Sequence, residues 1–460
     1  LYPLPDLEEF GEFLCASLTF TKCLKEIRVF VDDKLRMNIT KTLLQEPSVV
    51  QIQKNSSWWK SDGAVTTSPN GLFSLRDENA LQESFYHVQV SLDGDTAAVT
   101  ARYLSAVAKT KIPANMTSRM ERVTKKKPPS KVEVQIFLNG QQRIDDSVTN
   151  NGNRRNKAHK IVQSFSPRIG EGRIFIGFRT SQTTGLAAHL AAPFVPTVER
   201  EAMDLQDQTL RLFNLELLEF SGILMRLTLE HGMSTIGVEF AKGAAERAKL
   251  EAKLLTEAQE KAKMPVTSTP NSENDDDDTM TTADQTVSTE TEDTTSKSSR
   301  VWGFAKYMAK GVKKTIVKVV NKVEEFVDDG GELIHPRDPR PLCSEEHQAI
   351  ILMQSFCPRQ STPDPLVGTA LAQGFSRCLP EKAPPVLTRT GVVSGDEARL
   401  PCKGMEAFCK DNVVRSIVYS NAEEYHNVIA QCRALNLDDL SKKITQDVFD
   451  EDQLIRFIKW

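Results

Sequence analysis

Residues 264–300 read MPVTSTPNSENDDDDTMTTADQTVSTETEDTTSKSSR, a run of Ser, Thr, Asp and Glu without one aromatic residue, Leu or Ile. Such a segment cannot bury enough apolar surface to offset the entropy of ordering it. It cannot enter a core, so it divides the chain into a segment before it and another after it. The expected organisation is an α+β domain over 1–263, a disordered acidic Ser/Thr linker over 264–300, a basic amphipathic helix over 301–329 and a mainly helical C-terminal region over 330–460. With 460 residues, the chain has length enough for two or three domains.

In the first block, Asp93-Gly94 stands between two apolar stretches, 86–92 and 97–103, and supplies the positive φ of a tight hairpin turn. Alternation of Val132, Val134, Ile136 and Leu138 predicts a third strand, and 172–178 and 189–195 read as a fourth and fifth. Leu7, Phe10, Phe13, Leu14 and Leu18 follow helical spacing behind a capping Asp6, which predicts a helix over 6–21, and 27–31 reads as a strand. The stretch 40–83, with its polar patch around Trp58 and Trp59, reads as an irregular insertion. Leu210, Phe213, Leu217, Phe220, Leu224 and Leu227 step by three and four, which predicts a long amphipathic helix lying on the sheet. A more polar helix follows over 238–263.

Charge and motif content narrow the function classes. The formal net charge is −4, too small a field to argue for nucleic acid. The clusters Lys125-Lys126-Lys127 and Arg154-Arg155-Asn156-Lys157 lack interleaved aromatics that could stack on bases, so they read as solvated loop charge. No run reaches the roughly 18 apolar residues of a membrane span. The eight cysteines form no CxxC pair, which points to reduced thiols and an intracellular, cytoplasmic setting. There is no GxxxxGK[ST], HExxH or GxSxG, and Ile169-Gly170-Glu171-Gly172-Arg173 precedes a strand rather than a helix, so it reads as a turn and not a phosphate cradle. No metal set and no cofactor site is expected in the chain.

The basic helix carries the clearest surface signal. Trp302, Ala305, Ala309, Val312, Ile316, Val319, Val323 and Phe326 repeat by three and four, while Lys306, Lys310, Lys313 and Lys314 occupy other faces. That pattern suits an anionic membrane surface or a partner's groove, with docking on its own domain as the alternative.

The stretch 180–201, TSQTTGLAAHLAAPFVPTVERE, poses a choice between a catalytic loop and packed scaffold. GRIFIGF at 172–178 followed by TTGLAAHLAAPFVPTVER resembles the second domain of sacsin-type proteins, which follows a nucleotide domain of the histidine-kinase, gyrase and heat-shock-chaperone superfamily. His189 takes the place of the family's His and Arg200 that of its last Arg. Over nearly the whole chain, LYPLPDLEEFGEFLCASLTFTKCLKEIRVFVDD, AAVTARYLSAVA, ERVTKKKPP, APFVPTVEREAMDLQD, GVVSGDEARLP and NAEEYHNVIA are similar to a large fungal and oomycete family of unknown function that begins with such an ATPase-like domain. The resemblance implies a ribosomal-S5-like middle domain. The residues that hold ATP and magnesium would lie before Leu1, in an upstream domain that is this chain's first expected partner.

In that superfamily the domain after the ATP fold presents a basic side chain to the terminal phosphate, where a cation stabilises transition-state charge. The resemblance assigns this role to Arg200, with Arg179 second. The alternative has Arg200 pairing with Glu199, Glu201 or Asp204 to cap the helix near Leu210. The expected function is a transducer and scaffold for a chaperone-like ATPase with a protein client. The other reading is a peripheral membrane- or partner-binding module with no ATPase role.

Overall fold

The computed structural model describes residues 6–50, 66–75, 81–139, 157–199, 201–263, 340–402, 411–436 and 439. The expected linker and basic helix lie outside the described residues, and with them Trp302, Lys306, Lys310, Lys313, Lys314, Ile316, Val319, Val323 and Phe326. So do Trp58, Trp59 and Arg200.

The architecture is mixed α+β and grows from two tight hairpins. Asp93 and Gly94 take φ values of 52° and 94°, the paired positive angles that match the strands' twist. They join β5 (Leu81–Leu92) to β6 (Asp95–Thr110), which pair along their length from Leu92 opposite Asp95 to Leu81 opposite Ala106. Asp32 and Asp33, at φ 50° and 61°, do the same between β1 (Glu26–Val31) and β2 (Lys34–Leu43). The short strands β3 (Ser48–Val49) and β4 (Phe73–Leu75) prolong the pairing on β5 and β6, with β7 (Lys131–Asn139) on β6's other side. β8 (Arg173–Phe175), β9 (Arg179–Thr183) and β10 (Ala188–Ala191) complete a ten-stranded sheet in the order β1-β2-β5-β6-β7-β10-β8-β9. Only β10 and β8 pair in parallel among these neighbours.

Period-two alternation gives this sheet two cores on opposite faces. Val99, Ala101, Tyr103 and Phe137 point to one side, where α1 (Leu7–Ser17) and α3 (Lys157–Phe165) cover them. Asp6 caps α1 through its carboxylate to the Glu8 N–H at 2.9 Å. Leu104, Ala106, Val134, Ile136 and Leu138 point to the other side, towards α4 (Gln208–Lys242).

The expected amphipathic helix is corrected here. Besides the predicted stripe, α4 buries Leu218, Met225, Leu229 and Arg226, so its middle turns are enclosed on all sides, while its two ends keep an exposed face. Two C-terminal helices supply the enclosure: α7 (Pro365–Cys378) packs along α4, and α6 (Ser344–Ser355) packs against both α4 and β7. The α4–α7 crossing is close because Gly222 and Gly374 face it. A β-carbon on Gly374 would overlap the Glu219 carbonyl, and one on Gly222 would overlap that of Leu371. α5 (Ala244–Lys263) continues beyond Gly243. The C-terminal region is helical as expected, with α8 (Ser416–Asn421), a π-helical turn Tyr425–Ile429, and two small sheets: β11 (Pro385–Leu387) with β12 (Val392–Ser394), and β13 (Arg399–Leu400) with β14 (Arg433–Ala434).

Other expectations shift. The range 40–83 holds the end of β2, all of β3 and β4 and the start of β5, and its Ser68–Asn70 turn is fixed by buried Glu216 on α4. The predicted strands at 172–178 and 189–195 shrink to β8 and β10. β2, β9, α3 and α2 (Ala114–Thr124) are elements that sequence periodicity did not mark.

Candidate functional site

The stretch 180–201 is built into the sheet from both ends. Thr180 Oγ1 donates to the Ile174 carbonyl at 2.8 Å, and Thr184 Oγ1 to that of Ala188 at 2.9 Å. Gly185 sits at φ 77°, and the loop it turns brings β9 and β10 onto the two sides of β8.

His189 is enclosed between the rings of Phe137 and Phe175, with centroids 5.6 and 5.5 Å away. Its Nδ1 accepts the Arg173 backbone N–H at 2.8 Å, which requires an unprotonated Nδ1 and leaves the ring proton on Nε2. Burial first, then the charges of Arg179 and Arg173, push its pKa down to about 3 against a raising hydrogen bond at Phe165. A neutral imidazole with both nitrogens engaged by backbone is a packing element. It holds β10 against β8.

Arg179, at the start of β9, lies at an open depression lined by Phe178, Arg179, Ser181, Glu199 and Glu201. Partial desolvation and then the neighbouring Arg173 lower its pKa, while Glu12 and Glu171 oppose them. A guanidinium at such a rim stays charged at any physiological pH. It can meet an anion or a carboxylate of a neighbour. Arg200 lies outside the described residues. The helix it was offered to cap is capped otherwise: Asp207 accepts from the Thr209 and Leu210 N–H groups at 2.9 and 3.1 Å, and Arg119 pairs with it at 2.7 Å.

The polar run at the start of the stretch has its partners almost two hundred residues away. The Thr183 N–H donates to the Thr362 carbonyl at 2.7 Å, and the Thr362 N–H returns to Thr183 Oγ1 at 2.7 Å. Gln182 Nε2 donates to the Asp364 carbonyl and its Oε1 accepts the Asp364 N–H, at 3.0 and 3.1 Å. The Arg359 N–H donates to the Gly185 carbonyl at 2.6 Å, and the Ala187 N–H to that of Ser355 at 3.2 Å. Thr180, Gln182, Thr183 and Thr184 are buried. They form a two-sided clasp between the sheet edge and the segment joining α6 to α7. Sequence reasoning picked the stretch for its polarity, but missed the clasp because its second half is far off in the chain.

Two further charged clusters escaped sequence reasoning. Buried Lys41 on β2 donates to the carbonyls of Leu18, Thr19 and Thr21 at 3.1, 2.8 and 3.3 Å and lies 4.6 and 4.7 Å from the ring centroids of Tyr86 and Tyr103. Burial lowers its pKa to about 8, and the three carbonyls use all of the ammonium's donors. It ties the end of α1 to the sheet. Glu346 on α6 joins Arg340 and Arg415, at 2.7 Å each, in a fully buried triad. Those hydrogen bonds outweigh desolvation and hold its pKa down at about 2. Among the described residues no three His, Cys, Asp or Glu side chains converge as a metal site would.

No curated protein and no solved structure matches the chain. The model of the protein family of unknown function DUF3684 matches residues 67–273 and 321–460, more than half of the 460 residues, and the chain belongs to that family.

Proposed function

We propose, from that membership and the geometry of the clasp, that this chain is the transducer and scaffold part of a sacsin-like, chaperone-type ATPase, a ribosomal-S5-like middle module followed by a helical output region. In this reading residues 1–263 receive a movement and 330–460 deliver it to a protein client. ATP and magnesium would be held by a neighbouring domain whose phosphate end meets the rim at Arg179, Ser181 and Glu201.

The observation that carries the reading is the reciprocal hydrogen bonding of Gln182 and Thr183 with Thr362 and Asp364. Gln182 and Thr183 are buried, and Asp364 opposite them is half-buried, so β9 cannot shift alone without leaving buried donors and acceptors unpaired. A displacement of β9 is therefore passed to the start of α7, and through the α4–α7 crossing to the sheet's covered face.

The test is hydrogen exchange on the natural protein that carries this chain with its nucleotide-binding neighbour. ATP with magnesium should change exchange in 179–187 and 355–378 together, and Gln182→Ala should weaken the response at 355–378 more than that at 179–187. A protein that hydrolyses ATP while both segments keep unchanged exchange overturns the transducer reading.

A further inference from the structure

The two edges of the ten-stranded sheet are finished differently. At β9 the outward N–H groups of Ser181 and Thr183 are taken by the carbonyls of Glu201 and Thr362. At β1 no described strand pairs with the outer side. The Lys41 N–H donates to the Lys25 carbonyl at 2.7 Å, which makes 25 opposite 41 a hydrogen-bonded pair and, by alternation, turns the backbone groups of 27 and 29 towards β2. Those of 24, 26, 28 and 30 point outward. The side chains of the same even positions are all exposed, including Leu24 and Phe30 at 43% and 59%, while Ile27 and Val29 pack against the core under α1.

This edge has neither proline nor a covering loop among the described residues, and its blunting charges are one Glu and one Arg. Edge strands so exposed are templates for pairing. The charges select the partner. When two copies of β1 pair antiparallel about a two-fold axis at Ile27, Glu26 of each faces Arg28 of the other, and Leu24 of each faces Phe30 of the other. Even positions meet even positions, so every outward N–H and carbonyl finds its hydrogen-bonded counterpart. Sliding the strands two residues one way sets Arg28 on Arg28, and the other way Glu26 on Glu26, and like charges directly opposite are destabilising. Sliding by one residue turns the backbone groups out of phase. Within one copy Arg28 Nε already donates to Glu26 Oε1 at 2.8 Å, so the two charges stand side by side on one face, ready to interleave with a second pair.

We propose that a second copy of this chain occupies the β1 edge in that register, joining two sheets into one continuous sheet across a two-fold axis. An isologous interface of this kind closes on itself as a dimer. The occupant is specified by the charge order of the strand, since a generic edge-binding segment needs no such self-complementarity.

Charge reversal of the whole 460-residue chain tests this. Sedimentation and light scattering at micromolar protein should give twice the monomer mass of 51.4 kDa. Arg28→Glu and Glu26→Arg each place like charges against each other at both oppositions of 26 with 28 and should each shift the chain to monomer, with at least about tenfold weaker association for the two clashes together. The double variant Glu26→Arg with Arg28→Glu restores every opposition and should dimerise again. Circular dichroism matching the original chain establishes that each variant is folded, as expected for exposed positions. A monomeric original chain, single variants that stay dimeric, or a folded double variant that stays monomeric each overturns the proposal.

Discussion

His189 and His426 are buried bases, and Glu219 on α4 is a half-buried acid pushed the other way. Burial drives the histidines from 6.5 down to about 3 and about 4, and raises Glu219 from 4.5 to about 7 with help from neighbouring Glu216. The unfolded chain takes up protons on its histidines as pH falls below 6.5 while the folded chain does not. Their contribution is therefore whole above about 6.5 and is lost towards about 4 and 3, at up to about 1.4 kcal/mol per pH unit for each. Glu219 has the opposite sign: the folded chain keeps its proton up to about 7, so its contribution is present below 4.5 and is lost as pH rises through 7. Between 4.5 and 6.5 the acid opposes one of the two bases. Glu219→Gln should accordingly raise stability at pH 8, leave it nearly unchanged at pH 5, and steepen the loss on the acid side. Urea unfolding of both proteins at the two pH values checks this, and an equal change at both would remove Glu219 from the account.

Among elements, α4 decides the most. Its stripe from Leu210 to Leu227 was legible in the sequence, because residues three and four apart share a face whatever the tertiary context. Its enclosure was not legible, because it depends on which helix arrives on the far side. Gly222 and Gly374 are two unremarkable glycines until the crossing brings each against the other helix's backbone. Gly374→Ala should cost about 1–3 kcal/mol by overpacking, read as a lower urea midpoint with an unchanged slope, and amide exchange along α7 should quicken before that along α1. β9 shows the complementary failure. Arg179-Thr180-Ser181-Gln182-Thr183 has no apolar alternation, and its buried positions are polar, Thr180 satisfied by Ile174 and Gln182 and Thr183 by Asp364 and Thr362. A periodicity rule finds strands that bury hydrocarbon. It cannot find one whose inward groups are paid for by hydrogen bonds from distant backbone.

Across the molecule, the core around α4 runs without a break from Leu72 and Phe73 through β6, β7 and α4 to Val418, Tyr425 and Ile429. The Glu346 triad stands behind it and ties the chain at Arg340 to α6 and to Arg415 before α8. Removing the carboxylate leaves two guanidinium groups buried without their counter-charge, and breaking a buried pair in this way costs about 3–5 kcal/mol. Glu346→Gln should therefore loosen more than its own surroundings: exchange at Thr183 and Thr362 should accelerate along with exchange at 340–355, because the clasp and the triad anchor the same C-terminal region. Acceleration confined to 340–355 would show that the two anchors hold independently.

Local signals determined the hairpin at Asp93-Gly94, the alternation of β7, the cap at Asp6 and the α+β class, since each depends on neighbours within a turn or a strand. The sequence also supplied the two charges of β1, but not the fact that they stand on a sheet edge. Tertiary structure decided that edge, the closure of the opposite one by residues 201 and 362, and the conversion of His189 from a conspicuous side chain into a neutral packing piece between Phe137 and Phe175. The physical reason is the same in each case. Burial and hydrogen-bond partners are properties of positions brought together from far along the chain, and an isolated stretch carries no record of what will be folded against it.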